Sequence, residues 1–210
     1  MKIRYRTRVV RKVVLANGGF TLIEMMVSLA LFTIVMTIAT GAFLSLIGGS
    51  NQLQGEQTVM TSLNFAMDSM TREIRTGTKY YCQNGADVTV PGLLETQDCP
   101  GIGDDTLSFV ESGSSLSGGL TGGRIAYFFD STDGNKLMRK IGDAPAQSML
   151  SSDVLLTSLR FYVSGAHSNS DNGDTIQPTV TVIVTAQDPS DTLGKVYTLE
   201  TTVTQRELDI

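Results

Sequence analysis

Tryptophan is absent from the 210 residues, histidine occurs once, cysteine twice and proline five times. Two cysteines exclude a disulfide-dense miniprotein. Two cysteines and one histidine cannot supply the usual four-ligand zinc site. Charge is also scarce. Only 18% of residues are charged, below the usual quarter of soluble domains, while 41% are apolar. That apolar share is too high for disorder along the whole length. Long apolar runs are limited to one, which excludes a multispan membrane protein.

Acid is missing from residues 1–19, which hold six cations: Lys2, Arg4, Arg6, Arg8, Arg11 and Lys12. The rest carries ten cations against 21 acids, a net charge of −11 behind the overall −5. So acidic a body argues against direct nucleic-acid binding, which needs a positive face. A basic tip beside an apolar run instead reads as a cytoplasmic retention signal.

The apolar run extends from Leu22 to Ile47, 26 residues with one charge, Glu24. As a helix it is about 39 Å long, enough to cross a bilayer core of about 30 Å. A secretory signal has a shorter apolar core, of roughly 7–15 residues, with a cleavage site behind it. On topology alone an uncleaved signal anchor fits, and so does cleavage near Gly48–Ser50.

The junction adds a third reading. Gly18-Gly19-Phe20-Thr21-Leu22-Ile23-Glu24-Met25 resembles the cleavage and methylation motif of type IV pilins and type II secretion pseudopilins. The resemblance rests on Gly19, on Phe20 as first mature residue and on Glu24 four positions later, behind a basic leader and before one span. It implies that a prepilin peptidase cuts between Gly19 and Phe20 on the cytoplasmic side and methylates the Phe20 amine. It also implies that Glu24 pairs with the terminal amine of a neighbouring subunit during assembly. A carboxylate in an apolar helix is costly without a partner, and nothing else in the span ionises. The plainer alternative leaves Glu24 unpaired at the headgroup level. Many pilins carry a proline where this chain has Gly41.

Beyond Gly48-Gly49-Ser50 the helical pattern continues. Leu53, Met60, Met67 and Ile74 recur every seven residues, with Leu63 and Met70 between them. This apolar stripe is a core face or a coiled-coil seam. Arg75 suits a last turn and Gly77 a stop. Phe20 to Thr76 would make roughly 85 Å of helix if unbroken, with Gly48-Gly49 the place to bend.

From residue 78 the composition turns to Gly, Ser, Thr and Asp. Strands are expected at Thr106–Val110, Arg124–Phe129, Lys136–Ile141 after an Asp133-Gly134 turn, and Val154–Val163. Two more are expected around Val180–Val184 and Tyr197–Val203. An antiparallel sheet with one face on the helix is the economical arrangement. The expected fold is thus α+β and pilin-like, a long N-terminal helix packed on an antiparallel β-sheet head. The segments are a leader 1–19, a transmembrane helix 20–48, its amphipathic continuation 49–77 and a β-rich extracytoplasmic head 78–210.

Cys82 and Cys99 enclose a polar loop, and an extracytoplasmic pair of cysteines usually bridges. Two free buried thiols are the alternative. Acid-rich loops at 130–135 and 171–175 suit calcium or, without metal, Asx and glycine turns. No metal site and no cofactor are expected. His167 is expected in a surface loop, and no nucleophile-elbow or phosphate-loop motif accompanies it, so no catalytic residue is expected.

Residues Asn64–Arg75 and Leu199–Arg206 are similar to minor pseudopilins of the J type. The resemblance implies a non-enzymatic filament subunit in a type II secretion pseudopilus or a type IV pilus. Its partners would be the prepilin peptidase, other pilin or pseudopilin subunits and an inner-membrane assembly platform. The chain would cross the inner membrane once, N-terminus cytoplasmic, and enter a filament after assembly. The alternative is a lone membrane-anchored binding or adhesion module outside any filament.

Overall fold

The computed structural model describes residues 18–83, 96–99, 101–111, 124–132, 134–167, 175–191 and 193–206. It shows an α+β, pilin-like architecture: one long helix followed by antiparallel sheets. The chain divides into two compact units, Met1–Gly49 and Ser50–Ile210.

Helix α1 spans Leu22–Thr76. Eight strands follow: β1 (Thr78–Cys82), β2 (Thr106–Val110), β3 (Arg124–Asp130), β4 (Lys136–Ile141), β5 (Gln147–Ser148), β6 (Leu155–Ser164), β7 (Thr179–Gln187) and β8 (Val196–Thr204). One correction to the expected architecture is plain. The strands form two sheets, β1-β2-β3-β4-β5 and β6-β7-β8, instead of one.

In the unit Ser50–Ile210, the second half of α1 buries Val59, Leu63, Ala66, Met67, Met70 and Ile74 in a core shared with both sheets. Leu53 and Met60, expected in the stripe, are instead 60% and 38% exposed. A seven-residue repeat drifts by about 20° per heptad on a straight helix, so a row anchored at Ile74 rotates out of the core toward its N-terminal end. Val59 takes the inward position that Met60 loses.

The sheet faces follow the period of two. In β7, Val180, Val182, Val184 and Ala186 are buried while their neighbours are not. In β6 a bulge between Leu156 and Ser158 resets the phase, so that Leu156 and Leu159 are both buried despite their odd spacing. The first sheet adds Tyr80, Leu107, Phe109, Ile125, Tyr127 and Leu137. Gly77 ends the helix where bulk is forbidden: an added Cβ would stand 2.4 Å from the Phe109 ring.

Two polar devices hold α1 to the sheets. The Tyr80 hydroxyl lies 2.6 Å from the Ile74 carbonyl and 2.8 Å from that of Gly77, and the Arg206 amide donates to the Arg75 carbonyl at 2.8 Å. The Arg206 bond satisfies a carbonyl that a helix end leaves without a partner. In the same last turn, Glu73 accepts two bonds from Arg139, at 3.0 and 2.9 Å, and one from the Tyr127 hydroxyl. Burial first, and the Glu73 carboxylate second, push the Tyr127 phenol well above its ordinary range.

The Cys82 and Cys99 sulfurs are bonded, with Cα atoms 5.5 Å apart. The bridge sits where the sheets meet. Gln97 exchanges backbone bonds with β1: its carbonyl accepts the Cys82 amide at 3.1 Å and its amide donates to the Tyr80 carbonyl at 3.0 Å. The Cys99 amide donates to Val163 of β6 at 3.2 Å, and Asp104 and Phe161 exchange bonds at 2.9 and 2.7 Å. The crosslink therefore ties β1 to a segment that also pairs with β6. Changing both cysteines to serine is expected to cost about 3 kcal/mol on the loop-closure model. Scanning calorimetry of the full chain should then show the head melting roughly 6–12 °C lower.

Candidate processing and assembly segment

The first described residues, Gly18, Gly19, Phe20 and Thr21, precede the helix. Helix α1 begins at Leu22, two residues later than the sequence pattern places it. Thr21 explains the difference. Its hydroxyl accepts the Glu24 amide at 3.3 Å and its carbonyl accepts the Met25 amide at 3.2 Å, the geometry of an N-cap. Thr21-x-x-Glu24 is also the spacing of a capping box, and glutamate in a first turn favours the positive end of the helix dipole. This role of Thr21 was legible in the spacing and is absent from the motif reading, which assigns work only to Gly19, Phe20 and Glu24.

All three of those residues are exposed, Phe20 to 78%. A Cβ built on Gly18 or on Gly19 would meet nothing within 4 Å. The folded chain itself therefore does not require glycine at either position, in contrast to Gly77.

The Glu24 carboxylate has no hydrogen bond or ion pair among the described residues. The helix around it offers none, since Glu24 is the one ionisable residue between Leu22 and Ile47. The run is exposed throughout, including Leu22, Ile23, Met25, Leu29, Phe32 and Ile38. An apolar surface of that length is stable only under lipid or under other helices. Its hydroxyls are prepared for such surroundings. Thr33, Thr37 and Thr40 each donate to a carbonyl one turn back at 2.8 Å, so these three hydroxyls are paired within the helix.

Residues 15–40 match the family model described as the prokaryotic N-terminal methylation motif. The chain carries that motif. The match covers the end of the basic leader, the Gly19–Phe20 junction, Glu24 and the first half of the apolar run. No curated protein and no solved structure is significantly similar to the chain. Motif and apolar helix together fit a membrane-anchored protein.

The remaining candidate residues lie in the head. His167 is half-buried, its Nδ1 3.0 Å from the Thr96 hydroxyl, instead of standing free at the surface. In the first acid-rich loop Asp130 accepts from the Thr132 amide at 2.8 Å and from its hydroxyl at 2.6 Å, an Asx turn. Most of the second, residues 171–174, lies outside the described residues. The Cys82 and Cys99 sulfurs stand near the Asp104 carboxylate, a grouping that free thiolates would make a metal site. Sulfurs bonded to each other offer no thiolate, so the trio is not one.

Proposed function

We propose that the chain is a structural subunit of an envelope filament, a minor pilin or pseudopilin, processed by prepilin peptidase and held in the inner membrane until assembly. The observation that carries the reading is the coincidence of three features on one segment. The methylation motif covers residues 15–40. A Cβ at position 19 meets nothing within 4 Å among the described residues. Among the described residues the carboxylate of Glu24 has no partner, and the apolar half of α1 around it is exposed.

Cleavage after Gly19 creates one new cation, the Phe20 amine, beside the helix start. In low dielectric an amine and a carboxylate attract strongly enough to fix the register of two neighbouring helices. On extraction, the apolar half of α1 exchanges lipid for the same half of other subunits. A head-to-tail contact of this kind generates an open helical assembly. The head, with its two sheets, then faces outward and selects neighbours, and the chain itself catalyses no reaction and holds no cofactor. The likeness of Asn64–Arg75 and Leu199–Arg206 to J-type minor pseudopilins supports a place near the filament tip, in a secretion pseudopilus.

The test is fractionation of the native host. The chain should appear with sheared or affinity-purified fibres and with other short pilin-like proteins. Finding it only as an isolated membrane protein, in cells that make such fibres, would favour a lone anchored binding module instead.

A further inference from the structure

The two sheets have four lateral edges, and three of them are blunted or partly paired. Strand β1 carries a bulge and the bridge from Tyr81 to Gln97. Strand β5 is two residues long. Strand β6 is paired on its outer side by Asp104 and by the Cys99 amide. Strand β8 is different. It runs nine residues without a bulge in its pairing to β7, contains neither proline nor lysine, and has no strand on its other side among the described residues. Long regular edges are normally blunted, because their free amides and carbonyls template another strand.

The register says which groups are free. Gln205 bonds Pro178 at 2.9 Å, and hydrogen-bonded pairs alternate along an antiparallel ladder. Tyr197, Leu199, Thr201 and Val203 therefore turn their amides and carbonyls to β7. Thr198, Glu200, Thr202 and Thr204 turn theirs outward.

This edge borders a groove of about 860 Å³ between β8 and the last turns of α1. The helix side presents Asp68, Thr71, Arg72, Arg75 and Thr76, and Arg206 closes the end. Asp68 is engaged by Arg72 at 2.6 Å. Arg75 and Arg206 have no carboxylate partner among the described residues. A locally basic groove thus lies on a body whose net charge, residues 20–210, is −11.

We propose that the β8 edge and this groove receive an extended, acid-rich segment of another protein chain by strand addition. Its backbone would bond to the outward groups of Thr198, Glu200, Thr202 and Thr204, and its inward acids would meet Arg75 and Arg206. A second copy of β8 is a poorer occupant. Antiparallel self-pairing centred on Glu200 sets two Glu200 side chains opposite each other, and like charges directly opposite are destabilising. The surface is independent of residues 18–24, so failure here leaves the filament reading untouched.

The probe is a capped nine-residue peptide of alternating threonine and glutamate, with its threonine–lysine counterpart as control, titrated into the full chain in detergent micelles. The glutamate peptide is expected to bind saturably and to slow amide exchange at Thr198, Glu200, Thr202 and Thr204. The lysine peptide should bind about tenfold more weakly or not at all. Thr202→Pro removes an outward amide without breaking a backbone β7–β8 bond, and should weaken binding about tenfold, whereas Thr202→Val, which loses only the same hydroxyl bond to Thr181, should bind as the native chain does. Arg75→Glu with Arg206→Glu should weaken binding as Thr202→Pro does and reverse the peptide preference. No binding by either peptide, binding indifferent to both sets of variants, or edge protection arising from self-association of the chain would each overturn the proposal.

Discussion

Gly19→Val is expected to leave the chain uncut, with its basic leader still attached, in cells that contain prepilin peptidase. The effect should be all or none, because it acts on recognition of the scissile bond. An added Cβ at Gly19 meets nothing within 4 Å in the chain itself. The substitution is also outside the helix, which starts at Leu22. Stability of the head should therefore change by no more than about 0.5 kcal/mol, the range of ordinary surface substitutions. Immunoblotting for the mobility shift, with calorimetry of the same variant, separates a processing defect from a folding defect. A variant that is still cut at the normal position would mean that glycine there has no role in processing.

Glu24→Ala is expected to be cut normally and to disappear from the fibre fraction. A carboxylate and an amine about 4 Å apart at an effective dielectric near 20 attract by roughly 4 kcal/mol, which is about a thousandfold in an association constant. No other acid in the span can replace it. Alanine is a better helix former than glutamate, which offsets the lost first-turn charge, and the Thr21 N-cap remains, so the start of α1 changes by only a few tenths of a kcal/mol to about 1 kcal/mol. Glu24→Gln keeps the shape and removes only the charge, and should fail in the same assay. Normal incorporation of Glu24→Gln would show that the carboxylate's charge is not what docks the subunit.

The two variants act on a segment that was legible in sequence because its information is local. A glycine, an aromatic and a glutamate at fixed spacing, behind six cations and before 26 apolar positions, need no tertiary contacts to be read. The same held for β2 and β4, found with the bounds expected, and for the alternation of β7. What escaped was set by contacts between distant residues. Strand β1 is Thr-Lys-Tyr-Tyr-Cys, too mixed to stand out, and its burial comes from Tyr80 covering the end of α1 and from the bond to Cys99. The division into two sheets follows from where Asp104 pairs with Phe161, which no alternation pattern encodes. The phase of the helical stripe was misread by one position at its start, since seven-residue spacing only approximates two turns. Glu73, which joins α1 to Arg139 and Tyr127, lies beside that stripe and carries no signature of its own.

The membrane-inserted helix cut at the Gly19–Phe20 bond is tested most directly by mass spectrometry of the N-terminal peptide from the native host. The account predicts a mature chain that starts at Phe20 with its amine methylated. A chain that retains Met1 and the basic leader, or that starts near Ser50, contradicts it.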